Sequence, residues 1–179
     1  MKEIVKYGFI LMVVCTIAAV SLAYTYSKTK PLIDKQASET AERTKNEVLP
    51  GVSSFKEVVR GGSTFYVGYN EKGEVIGSVT KVAPKGYAGA IDMMVGLSDE
   101  GLISGVKILN HLETPGLGAK ITEDAFLEQF KGKKASTILL KKGDSQGTID
   151  AITAATISSR AVTGGVREAA GLIEGRSDE

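Results

Sequence analysis

Two short segments of this sequence hold the residue types from which a ligand site could be built. The first is His111-Leu112-Glu113-Thr114-Pro115-Gly116-Leu117-Gly118-Ala119-Lys120. Gly116 and Gly118, close behind Thr114, give a backbone that can approach a flat ligand and offer it free N–H groups. A plain turn is the competing reading of the same residues. His111 and Glu113, spaced i and i+2, are expected on one face of a strand, but two ligands do not make a metal site. A hydrogen-bonded histidine is the simpler expectation.

The second segment is Asp150-Ala151-Ile152-Thr153-Ala154-Ala155-Thr156-Ile157-Ser158-Ser159-Arg160-Ala161-Val162, hydroxyls and small residues at the expected start of the last helix. The unpaired N–H groups of a helix start, with the positive end of its dipole, favour a phosphate. Ala154 and Ala155 leave room around the Thr156 hydroxyl. A threonine oxygen is a weak nucleophile without help; Asp150 is the one evident base nearby, and an outside enzyme could supply the activation. Arg160, one helical turn after Thr156 and on the same face, is placed to neutralise a phosphate. In the competing reading Asp150, Thr153 and Thr156 only cap and turn the chain.

Conventional catalytic groups are scarce. There is one histidine, no tryptophan, and a single cysteine, Cys15, inside an apolar stretch. An intramolecular disulfide and a cysteine zinc site are therefore excluded, and no catalytic residue is assigned. Demanding chemistry would have to come from a cofactor. The 22 Lys plus Arg stand against 21 Asp plus Glu, and they balance once Lys2, Lys6 and Glu3 are set aside. Nucleic acid finds no electrostatic footprint in such a chain.

The elements that must position these segments read as an α+β domain: an antiparallel sheet with flanking helices. Runs at 54–60, 64–69, 75–82, 91–97 and 102–110 alternate as strands do, separated by Gly61-Gly62, Asn70-Glu71-Lys72-Gly73 and Asp99-Glu100-Gly101. Residues 122–130 are expected as a short helix with Thr122 as N-cap, Ala125 and Phe126 facing inward and Gly132 as its stop. A further strand is expected over 136–141. The last helix, 157–174, has its apolar spacing at Ile157, Ala161, Ala169, Leu172 and Ile173.

Ahead of the domain, GFILMVVCTIAAVSLAY from Gly8 to Tyr24 carries no charge and is flanked by Lys6, Lys28 and Lys30. It is long enough to span a bilayer. A cleaved signal peptide is the rival, because Ser21-Leu22-Ala23 loosely resembles a cleavage site, but the apolar run exceeds most signal cores. The flanking lysines leave the orientation open. Residues 1–26 are thus expected as a transmembrane anchor and 27–50 as a polar stalk helix ended by Leu49-Pro50-Gly51. The domain proper is expected over 51–179.

Taken together, HLETPGLGAK and DAITAATISSRAV resemble the FMN-binding G subunits of Rnf-type ion-translocating oxidoreductases, with Gly86-Tyr87-Ala88-Gly89 leading into a strand. They are also similar to the C subunits of the sodium-pumping NADH:quinone reductases. The resemblance covers the whole chain, and the short length favours the Rnf type. It implies FMN attached by a flavin transferase, with FAD as donor, through a phosphoester to Thr156. Thr153, Ala155 and Asp150 stand at the matching places beside it, and Ala154 stands where the family usually has glycine. It further implies that Glu113, Thr114, Gly116, Leu117 and Gly118 contact the ring or ribityl chain, with Tyr87 stacking on the ring. Arg160 completes the expected cofactor contacts. The implied protein is an electron carrier within a membrane complex that couples ferredoxin and NAD to ion movement, its domain facing away from the cytoplasm and its partners the complex's other subunits. An anchored scaffold domain without flavin, or a free-standing anchored flavoenzyme, remain the alternatives.

Overall fold

Five runs of alternating apolar and polar residues produce five strands: β1 (Ser54–Arg60), β2 (Ser63–Tyr69), β3 (Val75–Val82), β4 (Asp92–Ser98) and β5 (Ile103–Asn110). They form one antiparallel sheet in the order β1-β2-β3-β4-β5, each joined to the next in sequence. The computed structural model describes residues 2–60, 62–141 and 147–175. The expected strand limits agree with the observed ones to within a residue. Of the Gly61-Gly62 turn, Gly61 lies outside the described residues and Gly62 takes φ +79.

By its contacts the chain divides into two units, Met1–Thr40 and Ala41–Glu179. The first is the greater part of α1 (Lys2–Val48), a helix that continues through Pro31. Its apolar side chains, among them Phe9, Leu11, Val14 and Ile17, are exposed. Among the described residues α1 is the helix long and apolar enough to cross a membrane. Beyond the apolar stretch, Lys30–Asp34 at 2.7 Å and Lys35–Glu39 at 3.9 Å are i,i+4 pairs that support the helix where it is polar.

In the second unit the sheet is covered on both faces. On one face Phe65, Val82, Met93, Val95 and Leu97 pack with Val162, Val166, Ala169, Ala170 and Ile173 of α3 (Thr156–Glu174). On the other, Val79 and Met94 pack with Val48 and Leu49 at the end of α1. That second contact depends on two missing side chains. A Cβ on Gly96 would lie 2.5 Å from the Val48 carbonyl oxygen, and one on Gly105 would lie 2.8 Å from the Val48 Cα. The Ser104 hydroxyl donates to the same carbonyl at 2.5 Å. A helix C-terminus thereby satisfies one of its orphan acceptors against the sheet.

Four expectations are corrected. Residues 122–130 form only one α-turn, α2 (Asp124–Leu127), followed by a 3-10 turn Glu128–Phe130; Glu123, not Thr122, is the capping position. Thr122 instead donates its hydroxyl to the Ala119 carbonyl, and Ala125 is exposed while Phe126, Leu127 and Phe130 are buried. Residues 136–141 are not a strand: a 3-10 turn occupies Ala135–Thr137, and only Leu140 makes a bridge, to Ile149. Beyond that turn, and among the described residues, the backbone of the run pairs only with residues 148–149, through Lys141 N–H to the Ile149 carbonyl at 2.8 Å and the N–H groups of Thr148 and Ile149 to the Leu139 carbonyl, a contact too short to make a strand ladder. His111 and Glu113 lie beyond the end of β5, outside any strand. The buried face of α3 also differs from the expected one: Ile157 and Leu172 are exposed, whereas Ser158, Ser159, Thr163 and Gly165 are buried. A Cβ at Gly165 would meet Pro84 Cγ at 2.6 Å and Met93 Sδ at 3.0 Å, so α3 lies close against its neighbours along small residues.

Candidate functional site

After β5 the chain runs without regular structure to Thr114, whose carbonyl accepts the N–H groups of Leu117 at 3.2 Å and Ala119 at 3.1 Å. Gly116, at φ +76, makes the reversal that a side-chain-bearing residue resists. The Glu113 N–H donates to His111 Nδ1 at 3.2 Å, which gives the lone histidine its hydrogen bond. The turn folds the Glu113 side chain inward, where it is 4% exposed.

Three donors meet the Glu113 carboxylate. Oε1 accepts from the backbone N–H groups of Tyr87 at 2.8 Å and Ala88 at 3.1 Å, and Oε2 accepts from the Ser158 hydroxyl at 2.6 Å. Burying a carboxylate is costly unless its oxygens are matched, and these three bonds match it. They also join three segments distant in sequence: the turn at 84–91, the loop at 111–118 and the first turn of α3. The turn itself is closed by Gly86 N–H donating to Gly89 O at 2.7 Å. Two glycines make room for the carboxylate. A Cβ at Gly118 would stand 2.6 Å from Glu113 Oε2 and 2.8 Å from Ser158 Oγ, and one at Gly86 would collide with Glu113 Oε1.

The start of α3 is built around a bend at 152–155. Ala155 N–H donates to the Ile152 carbonyl at 3.0 Å, and the buried Ser159 hydroxyl accepts from Ile152 N–H and donates to the Ala155 carbonyl, each at 3.0 Å. Ala154 takes φ +63, the one left-handed residue other than glycine among those described. Ala155 is the capping residue and supplies no side-chain cap, so the first N–H groups of α3 are left for another acceptor. Thr156 opens the helix, exposed, and its hydroxyl has no partner among the described residues.

These pieces surround an open cavity of about 520 Å³, within the range of small-molecule sites of roughly 300–1,000 Å³. It is lined by Tyr87, by Glu113, Thr114, Leu117 and Gly118 of the loop, and by Ala154, Ala155, Thr156, Ile157 and Ser158. Tyr87, Leu117 and Ile157 are exposed there. Four residues expected at the site do not line the cavity. Asp150 pairs with Lys141 at 2.9 Å, and its backbone N–H donates to Gln129 Oε1 at 2.7 Å. Thr153 and Arg160 are exposed, and Gly116 turns the loop outside the lining. Reading the sequence missed Gly86, Ile157, Ser158 and Ser159. The adjacent serines at the third and fourth positions of a helix were the available signal, since hydroxyls there are poor helix formers that earn a place by bonding elsewhere.

Comparison with known proteins places this geometry. Residues 86–171, which contain the whole cavity lining, match the FMN-binding domain family. The G subunit of the Na(+)-translocating ferredoxin:NAD(+) oxidoreductase complex of Acetobacterium woodii is 36% identical over 92% of this chain and 89% of its own length. The G subunit of the proton-translocating ferredoxin:NAD(+) oxidoreductase complex of Clostridium ljungdahlii is 35% identical over 89% and 85%. The fold is shared with the crystal structure of the C subunit of the Na(+)-translocating NADH-quinone reductase from Parabacteroides distasonis, at a TM-score of 0.59 and 21% identity over 79% of this chain and 85% of that one. An anchor-like first helix, a five-stranded sheet and a cavity at the start of α3 are therefore features of a chain that belongs to the family of G subunits of ion-translocating oxidoreductase complexes.

Proposed function

We propose that this chain is the membrane-anchored electron-transfer component of an ion-translocating oxidoreductase complex linked to ferredoxin and NAD, carrying FMN through a phosphoester on Thr156. The observation that carries the reading is the Thr156 hydroxyl: exposed, unpartnered among the described residues, at the first position of an uncapped helix and on the wall of a cavity inside an FMN-binding domain. The names of the relatives supply the complex and its ferredoxin and NAD linkage.

The residues present suit this group. The free N–H groups at the start of α3 and its dipole favour a phosphate ester at Thr156. Tyr87, Leu117 and Ile157 offer an apolar surface to a flat ring, and Thr114 and Gly118 offer the loop backbone. When bound, FMN supplies one- or two-electron transfer. Attachment requires a flavin transferase: Thr156 loses its hydroxyl proton and gains a bond to phosphorus as the pyrophosphate of FAD breaks and AMP leaves. α1 serves as a single-pass anchor of the cell membrane, with the domain on the extracytoplasmic side among the other proteins of the complex.

Denaturing electrophoresis of the chain produced alongside a flavin transferase tests the assignment. A band fluorescent under ultraviolet light is expected for the wild type and for Thr153→Ala, and a dark band for Thr156→Ala. A fluorescent Thr156→Ala band would sink the attachment site.

A further inference from the structure

Of the ten residues that line the cavity, Glu113 alone carries a formal charge. It is buried, and an ionised carboxylate offers about four acceptor positions, of which three are filled by Tyr87 N–H, Ala88 N–H and the Ser158 hydroxyl. Its charge is thus held in place by the backbone of one turn and a hydroxyl of α3, away from the screening of bulk water.

We propose that Glu113 is a positioning residue that also poises the cofactor at a low reduction potential, by keeping a fixed negative charge in the cavity wall. This rests on FMN occupying the cavity, as proposed above. Reduction of a flavin by two electrons with one proton leaves a net negative charge on the ring, and a like charge held nearby disfavours that product. The three hydrogen bonds offset part of the effect and fix the carboxylate's position. Removing the charge therefore raises the potential, whereas removing one donor while keeping the charge lowers it. Glu113→Gln does the first with nearly the same shape, since the amide oxygen still accepts from Tyr87 and Ala88 and its NH₂ donates to Ser158. Ser158→Ala does the second.

The experiment is a reductive titration of the full-length, transferase-labelled chain with dithionite beside a reference dye, without oxygen. The midpoint of Glu113→Gln is expected above that of the wild type and the midpoint of Ser158→Ala below it. A Glu113→Gln midpoint equal to or below the wild type overturns the proposal. If that variant does not fold or label, Ser158→Ala decides, and a midpoint unchanged or raised overturns it. Failure of the FMN reading itself appears differently, as a wild-type chain without a fluorescent band.

Discussion

The ammonium of Lys45 lies 4.0 Å from the ring centroid of Tyr66 and 5.4 Å from that of Phe55, with Glu42 Oε1 at 2.6 Å. The lysine is only 4% exposed. Its charge is thus received by two aromatic faces and a carboxylate one helical turn back, which lets a polar helix end bed down on the sheet. Lys45→Ala removes both the buried stem and the cation–π contact, and should cost about 2 kcal/mol of stability. Chemical denaturation of the detergent-solubilised chain measures this; an unchanged midpoint would refute it.

Tyr66 gives a pH dependence of known sign. Burial, then the carboxylates of Glu57 and Glu42, hold its phenol above the ordinary value of 10.0. The unfolded chain therefore ionises this tyrosine first. Its contribution is complete below about pH 10 and is lost as the pH rises from there through the folded value. Denaturation midpoints should fall as the pH rises above about 10, and Tyr66→Phe should make that fall smaller. An identical fall in the variant would assign the alkaline loss to other groups.

Ala154 holds a left-handed conformation at φ +63, which costs an alanine roughly 1 kcal/mol relative to glycine. Ala154→Gly should therefore stabilise the domain by about 1 kcal/mol and raise its melting temperature by about 3 °C. Ala154→Val should do the opposite. Thermal melts of the three proteins in parallel settle the order.

Gly116 and Gly118 are two residues apart yet needed for different reasons. A Cβ on Gly116 meets nothing within 4 Å, so Gly116→Ala should cost only the strain of φ +76, about 1 kcal/mol. A Cβ on Gly118 runs into Glu113 Oε2 and Ser158 Oγ, so Gly118→Ala should cost about 2 kcal/mol. It should also lower the yield of fluorescent band more than Gly116→Ala does. Equal yields would mean that the carboxylate contact does not shape the cavity.

The sheet was legible because alternation is a strong signal wherever a strand has partners on both sides, as β2, β3 and β4 do. It misled at residues 136–141, where the same alternation met no neighbouring strand. The face of α3 was displaced because small polar residues occupy it: Ser158, Ser159, Thr163 and Gly165 do not register as apolar, yet they are buried by hydrogen bonds and close packing. At the site, the motifs located the two walls of the cavity, but the individual roles were less readable. Glu113, expected at the ligand, lines the cavity and is also a buried hub whose partners, Tyr87, Ala88 and Ser158, stand 26, 25 and 45 residues away. No local pattern encodes such separations.

The bare backbone of Gly96 and Gly105 beneath Val48 decides where this polypeptide tolerates being shortened. A soluble version that starts upstream of Ala41 keeps the last turns of α1 seated in their furrow. One that starts at Gly51 strips away Val48 and Leu49, leaves the Ser104 hydroxyl without its acceptor, and opens Val79 and Met94 to water. Such a trimmed product would expose an apolar trough and self-associate, so the useful cleavage point lies inside the helix and not at its end.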